Sequence, residues 1–308
     1  MNYLQPKSVY NRIGWFFCVM EVVIVFVEVL ADILIAALDS RLVNQINVQM
    51  GMTILSYYCI AFPIFAVCMN TLEGRAKEEK SKFGFLEMTK FFFLSFAVMN
   101  VANFINILVY SGFQLVTGHE VKSALDSVLT EPTPLVMLTT VILAPIVEEY
   151  TFRYFTLNKL RKYGDKTAII VTSVLFGLSH MNFEQFFYAA AIGLVFGYVV
   201  CKTGRVWYSI ILHMLLNFFN GALPLMMQQM DNPFVEMGYT IFYYAAILIG
   251  ILLFCFNVSK IRLEQGKEPV YNPVGTAMSS PGMLVYGIVS VVIMMVTLAG
   301  QFITALIS

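Results

Sequence analysis

The chain has 308 residues, 59% hydrophobic and 12% charged, against about 25% charged in a soluble domain. At a mean hydropathy of +0.76 there is too little polar surface to cover a soluble globule. Nineteen basic and nineteen acidic residues cancel, which excludes the electrostatic footprint of a nucleic-acid binder. The composition is that of an integral membrane protein.

The N-terminal stretch MNYLQPKSVYNR is polar, and the apolar run after it is too long and too acidic for a cleaved signal peptide. An apolar helix needs about 20 residues to cross the hydrocarbon core. Runs near that length lie at 13–38, 52–71, 91–115, 134–158, 167–181, 185–201, 206–228, 239–258 and 284–307. They predict an all-α, polytopic transmembrane bundle of about 8–9 spans, forming a single integral membrane domain over 1–308. The fifth and sixth runs are short; a re-entrant hairpin there would leave seven crossings. The stretch 259–283, with Pro269, Pro273, Pro281 and Gly282, reads as a loop. With the N-terminus cytoplasmic, sixteen Lys and Arg fall inside and only Arg41 and Lys122 outside, with Arg153 within a span. The C-terminal QFITALIS carries no prenylation box, so the chain is not expected to be prenylated itself.

Five cysteines lie in or beside apolar runs with no C-x-x-C pair, and read as small buried hydrophobes. Ionisable residues inside spans cost ~2.5–3.5 kcal/mol each and need a reason. In the first run Glu21, Glu28 and Asp32 fall within about 20° of one helical face. A polar seam paired inside the bundle is favoured there over a water-filled entry or a proton relay. In the fourth run, PIVEEYTFR, Glu149 and Arg153 are four apart and can pair. Glu148 is then left about 100° round the helix, a candidate general base. The alternative is a helix end whose charges snorkel to water.

His180 closes the fifth run one turn after Phe176, and His213 in the seventh lies four residues before Asn217. His119 falls in the loop 116–133 and reads as solvated. In the sixth run Ala189, Gly193 and Gly197 form a small-residue ridge for close packing. Glu148, His180, His213 and Asn217 together supply what hydrolysis needs, a base for water and donors for an oxyanion. The same glutamate and two histidines could hold zinc, although no HExxH is present.

Glu148-Glu149-x-x-x-Arg153, Phe176-x-x-x-His180 and His213-x-x-x-Asn217, in that order, resemble the CPBP family. This family comprises the CAAX proteases and bacteriocin-processing enzymes, also called Abi, and includes the type II CAAX prenyl endopeptidases. The motifs span roughly 134–228, expected to be the catalytic core; the flanking spans carry no matching signature. The resemblance implies an intramembrane endopeptidase in a bacterial cell membrane, acting on a membrane-anchored or transmembrane protein or peptide, which in eukaryotic relatives is prenylated. It assigns water activation to Glu148 with His180, and oxyanion stabilisation to His213 and Asn217. Glu149 and Arg153 would hold the helix geometry, with Phe176 supporting. No catalytic metal is expected, with zinc on Glu148, His180 and His213 as the alternative. Two other classes stand beside the protease. One is a non-catalytic bacteriocin-immunity or scaffold protein on the same fold; the other is a transporter, against which no inverted repeat is detected.

Overall fold

A computed structural model describes residues 6–74, 81–121, 133–268 and 270–307. Among these, the chain forms ten helices. They are α1 (Pro6–Asp39), α2 (Ile46–Asn70), α3 (Phe85–Thr117), α4 (Pro134–Tyr163), α5 (Asp165–Leu178), α6 (Phe183–Thr203), α7 (Trp207–Gln228), α8 (Pro233–Lys260), α9 (Pro273–Met278) and α10 (Pro281–Ile307). The one β-type pairing among the described residues is an isolated bridge between Gly164 and Gln265.

Among the described residues, seven helices (α2, α3, α4, α6, α7, α8 and α10) are long and apolar enough to cross a membrane, against the eight to nine expected. The chain is a multi-pass integral membrane protein. The expected fifth span fails on length, since 14 residues make a helix of about 21 Å against a ~30 Å hydrocarbon core. Its neighbour α6, at 21 residues, is among the seven, and the short fifth helix runs antiparallel beside it as the other arm of a hairpin, with Gly177 against Ala190 and Ile169 against Gly197. The expected first span belongs to a 34-residue helix that carries Glu21, Glu28 and Asp32, and it is not among the seven either.

Small residues set the closest crossings. α1 docks on α10 where Gly14 meets Gly282; a Cβ on Gly14 would lie 2.2 Å from the Gly282 carbonyl carbon. α5 and α6 pack as a pair through the expected ridge, with Gly193 against Ser173 and Gly197 against Ile169. Phe17 fixes the first crossing from the side, 4.9 Å from Phe65, 5.4 Å from Phe152 and 5.2 Å from Tyr286 between ring centroids. The clash at Gly14 is with backbone and cannot relax by a rotamer change. Gly14→Val should therefore lower the melting temperature of the purified protein, at the upper end of the ~1–3 kcal/mol that overpacking costs. An unchanged melt would remove this crossing from the list of supports.

Four stretches of helix are wound wide, with i→i+5 hydrogen bonds: Ile54–Ala61, Leu138–Leu143, Tyr150–Leu157 and Phe218–Ala222. Three of them run into a proline, at Pro63, Pro145 and Pro224 respectively. The physical cause is local: a proline inside a helix offers no N–H and its ring crowds the carbonyl four residues back.

Basic residues gather at one end of the bundle. Arg12 donates to the Thr71 hydroxyl (2.6 Å), and Lys159 donates to the Leu72 carbonyl (2.6 Å). Arg161 pairs with Asp165 at 2.8 Å and also reaches the Cys201 carbonyl. The segment after α8 straps the same end, with Lys162 3.6 Å from Glu268 and the Asp165 N–H donating to the Glu264 carbonyl. Arg75, Lys77, Lys80 and Lys122, which entered the charge count, lie outside the described residues, as does Pro269.

Candidate active site

The six-residue α-helical turn Ala144–Glu149 lies between two of the wide stretches of α4 and carries both glutamates. Glu149 Oε1 is 3.0 Å from Arg153 Nη1, and both side chains are fully buried. The expected i, i+4 pair is therefore formed. Arg153 also lies over aromatic faces, its guanidinium carbon 4.4 Å from the Phe176 ring centre and 5.4 Å from that of Phe196. None of its N–H groups finds an acceptor in hydrogen-bond geometry among the described residues, so charge and π-faces hold it.

His213 of α7 joins this pair to Glu148. Its Nδ1 is 3.2 Å from Glu149 Oε1 and its Nε2 is 3.7 Å from Glu148 Oε2. A carboxylate can only accept, so the Nδ1 proton is donated to Glu149 and Nε2 faces Glu148. Glu149 thus sets the orientation of an imidazole as well as pairing with an arginine. Glu148 keeps some exposure, 17% of its side chain, where Glu149 has none.

His180 lies in the turn after α5, where Nδ1 sits 2.8 Å from the Phe176 carbonyl. A carbonyl also only accepts, so Nδ1 carries the proton and Nε2 is left with its lone pair. Phe176 touches both histidines edge-on, with centroids 5.1 Å from His180 and 5.7 Å from His213. Glu148 lies within electrostatic reach of His180, Tyr57, Tyr58 and Tyr188.

Asn217 is fixed by the irregularity of α4. The Ala144 N–H bonds to the Thr139 carbonyl in the wide register. The next bond of that register would run from residue 145 to Thr140, but residue 145 is proline. The orphaned Thr140 carbonyl accepts instead from Asn217 Nδ2 at 2.9 Å. One amide hydrogen is spent there, and a second remains.

A cavity of about 510 Å³ reaches this corner, lined by Thr140, Asn217, Asn220, Asn100, Tyr188 and Glu184 among others. Its walls are cross-linked, Asn100 Nδ2 donating to Asn220 Oδ1 (3.1 Å) and the Tyr243 hydroxyl to Asn100 Oδ1 (2.6 Å). Glu148, His180 and His213 are not among its lining residues. Thr140, Pro145, Tyr57, Tyr188 and this cavity belong to none of the sequence motifs. The available signals were Asn100 inside an apolar run and a proline five residues after Thr140.

Two of the first-helix acids find hydroxyl partners inside the bundle. Glu28 Oε1 accepts from the Ser56 hydroxyl at 2.9 Å, and Glu21 from the Tyr286 hydroxyl at 3.5 Å. Asp32 Oδ1 is buried without a hydrogen-bond partner among the described residues. A zinc site on Glu148, His180 and His213 does not fit the geometry, since among the described residues no three His, Cys, Asp or Glu side chains cluster as metal ligands would. His119 is exposed in a loop, as expected.

Residues 130–219 match the family model described as type II CAAX prenyl endopeptidase Rce1-like. Over that stretch the chain is similar to the type II CAAX prenyl endopeptidases. A curated relative, the "putative membrane peptidase YdiL" of Bacillus subtilis (strain 168), is 31% identical over 87 residues. That match covers 28% of this chain and 36% of the relative, so the chain spans about a third of that protein's length. No solved structure matches. The matched segment contains every motif residue from Glu148 to Asn217, while α1 to α3 and α8 to α10 lie outside it.

Proposed function

We propose that the chain is an intramembrane endopeptidase that hydrolyses a peptide bond of a membrane-associated protein or peptide, with residues 134–228 as its catalytic core. The observation that carries this reading is His213 held between two carboxylates, at 3.2 Å from Glu149 and 3.7 Å from Glu148. A structural histidine needs one partner; this one links a fully buried ion pair to a second, partly exposed acid. In the proposed reaction Glu148 takes a proton from water, assisted by Nε2 of His180, and the hydroxide adds to the scissile carbonyl. Asn217, and His213 when its Nε2 carries a proton, donate to the resulting oxyanion. Collapse expels the amine, which receives the proton first taken from water. Glu149, Arg153 and Phe176 hold these groups in place.

Arg12 near the N-terminus shares the basic end of the bundle with Lys159, Arg161 and Lys162, which supports a cytoplasmic N-terminus. The bacterial source of the relative supports a bacterial cell membrane. The test is cleavage of a fluorogenic peptide panel, prenylated and unprenylated, by the purified full chain. Asn217→Ala should lower kcat by ~10²–10³-fold with KM nearly unchanged, the loss expected of one oxyanion donor. Silence of the wild type on every peptide, with a protective phenotype retained in cells, would favour the scaffold reading instead.

A further inference from the structure

A second cavity, of about 500 Å³, opens between α3, α6 and α8, and the protease reading does not use it. Its walls are apolar, with Leu94 and Val98 from α3, Leu194 from α6 and Phe254 from α8. Three lysines also line it, one from each helix: Lys90, Lys202 and Lys260. Lys90 is near the start of α3, while Lys202 and Lys260 are at the ends of α6 and α8, so the three ammonium groups share one end of the slot. No acidic side chain is among its described lining residues. Glu87 lies 3.7 Å from Lys90, and the Lys202 ammonium sits over the rings of Phe83, Phe91 and Tyr198 at 5.4, 5.9 and 5.9 Å.

The depth of the slot matches one leaflet. Ala191 also lines it, eleven residues before Lys202, so it follows α6 for about 16 Å. Half of a ~30 Å hydrocarbon core is about the same length. An apolar slot one leaflet deep with three converging cations at one end calls for a ligand with a hydrocarbon tail and an anionic head. Lysine meets phosphate as a point charge without a demand on geometry. Basic pockets between membrane helices take anionic headgroups for this reason. We propose that this slot binds one anionic phospholipid, its acyl chain between α3, α6 and α8 and its phosphate against Lys90, Lys202 and Lys260.

Native mass spectrometry of the detergent-purified full chain tests this, with titrations of phosphatidylglycerol and of phosphatidylcholine with the same acyl chains. One phosphatidylglycerol should bind roughly tenfold or more tighter than phosphatidylcholine, given three lysines at the headgroup. The triple variant Lys90→Gln, Lys202→Gln, Lys260→Gln should lose that preference. Leu194→Trp, which fills the slot and leaves the lysines in place, should lose the bound lipid; it decides alone if the triple variant does not fold. Equal affinity for the two lipids, or retention of the preference in a folded variant, would overturn the proposal. So would displacement by glycerol 3-phosphate, which would mark a free-phosphate site. Displacement by a farnesylated peptide of no net charge would give the slot to a substrate anchor and overturn it as well.

Discussion

Glu148→Gln should lower the cleavage rate by ~10²–10⁴-fold, the contribution of a positioned general base. The substitution is nearly isosteric, and Glu148 keeps 17% of its side chain exposed, so little packing is disturbed. The amide still reaches toward His213 Nε2 across the present 3.7 Å, but it has no basic oxygen to take a proton from water. The melting temperature should therefore stay close to wild type while kcat collapses. That split is the informative readout: loss of both would mean that Glu148 supports the fold, and loss of neither would remove it from the reaction. His180→Gln in the same assay should also depress kcat, since its Nδ1 is committed to the Phe176 carbonyl and only Nε2 is left to act. Cleavage measured with and without a zinc chelator gives the metal question its own answer.

The spacing of charged residues made the centre of this site legible before any coordinates. The i, i+4 spacing of Glu149 and Arg153 suffices to predict a pair found at 3.0 Å. Phe176 and His180, one turn apart, likewise fall together. The contact of His213 with both glutamates crosses 64 residues of chain, and no spacing rule reaches that far. Asn217 was singled out for lying on the His213 face of its helix, yet its place is set by a broken register in α4. Its anchor depends on Pro145 falling five residues after Thr140 within a stretch that is wound wide, and helical periodicity at 3.6 residues per turn cannot express that. The span count erred for a related reason. Hydropathy windows report apolar length, while α5 stops at Leu178 and the chain turns through Met181, whose φ of +48° is left-handed, before α6 begins. The polar cavity was hidden because Asn100, Asn220 and Glu184 come from three helices and meet only in the folded bundle.

Arg153→Met should destabilise the protein by about 3–5 kcal/mol, because it leaves Glu149 as an uncompensated charge in a fully buried place. Lysine is no substitute there, as the guanidinium also lies over Phe176 at 4.4 Å and a point charge would not cover that face. The double variant Arg153→Met, Glu149→Gln separates the two roles of this pair. Both charges are then gone, a neutral amide faces a thioether, and most of the lost stability should return. Activity should not return with it. Glu149 Oε1 also accepts the Nδ1 proton of His213, and a carboxamide in its place can turn its NH₂ toward that nitrogen and select the other tautomer. His213 would then no longer present Nε2 to the reacting centre as it does now, and kcat should stay low in a protein that melts near wild type. Thermal melts and cleavage rates of the two single variants and the double variant give the coupling energy directly. If the double variant recovers both stability and rate, the buried pair serves the fold alone and the orientation of His213 comes from the aromatic rings of Phe176 and Phe196 around it.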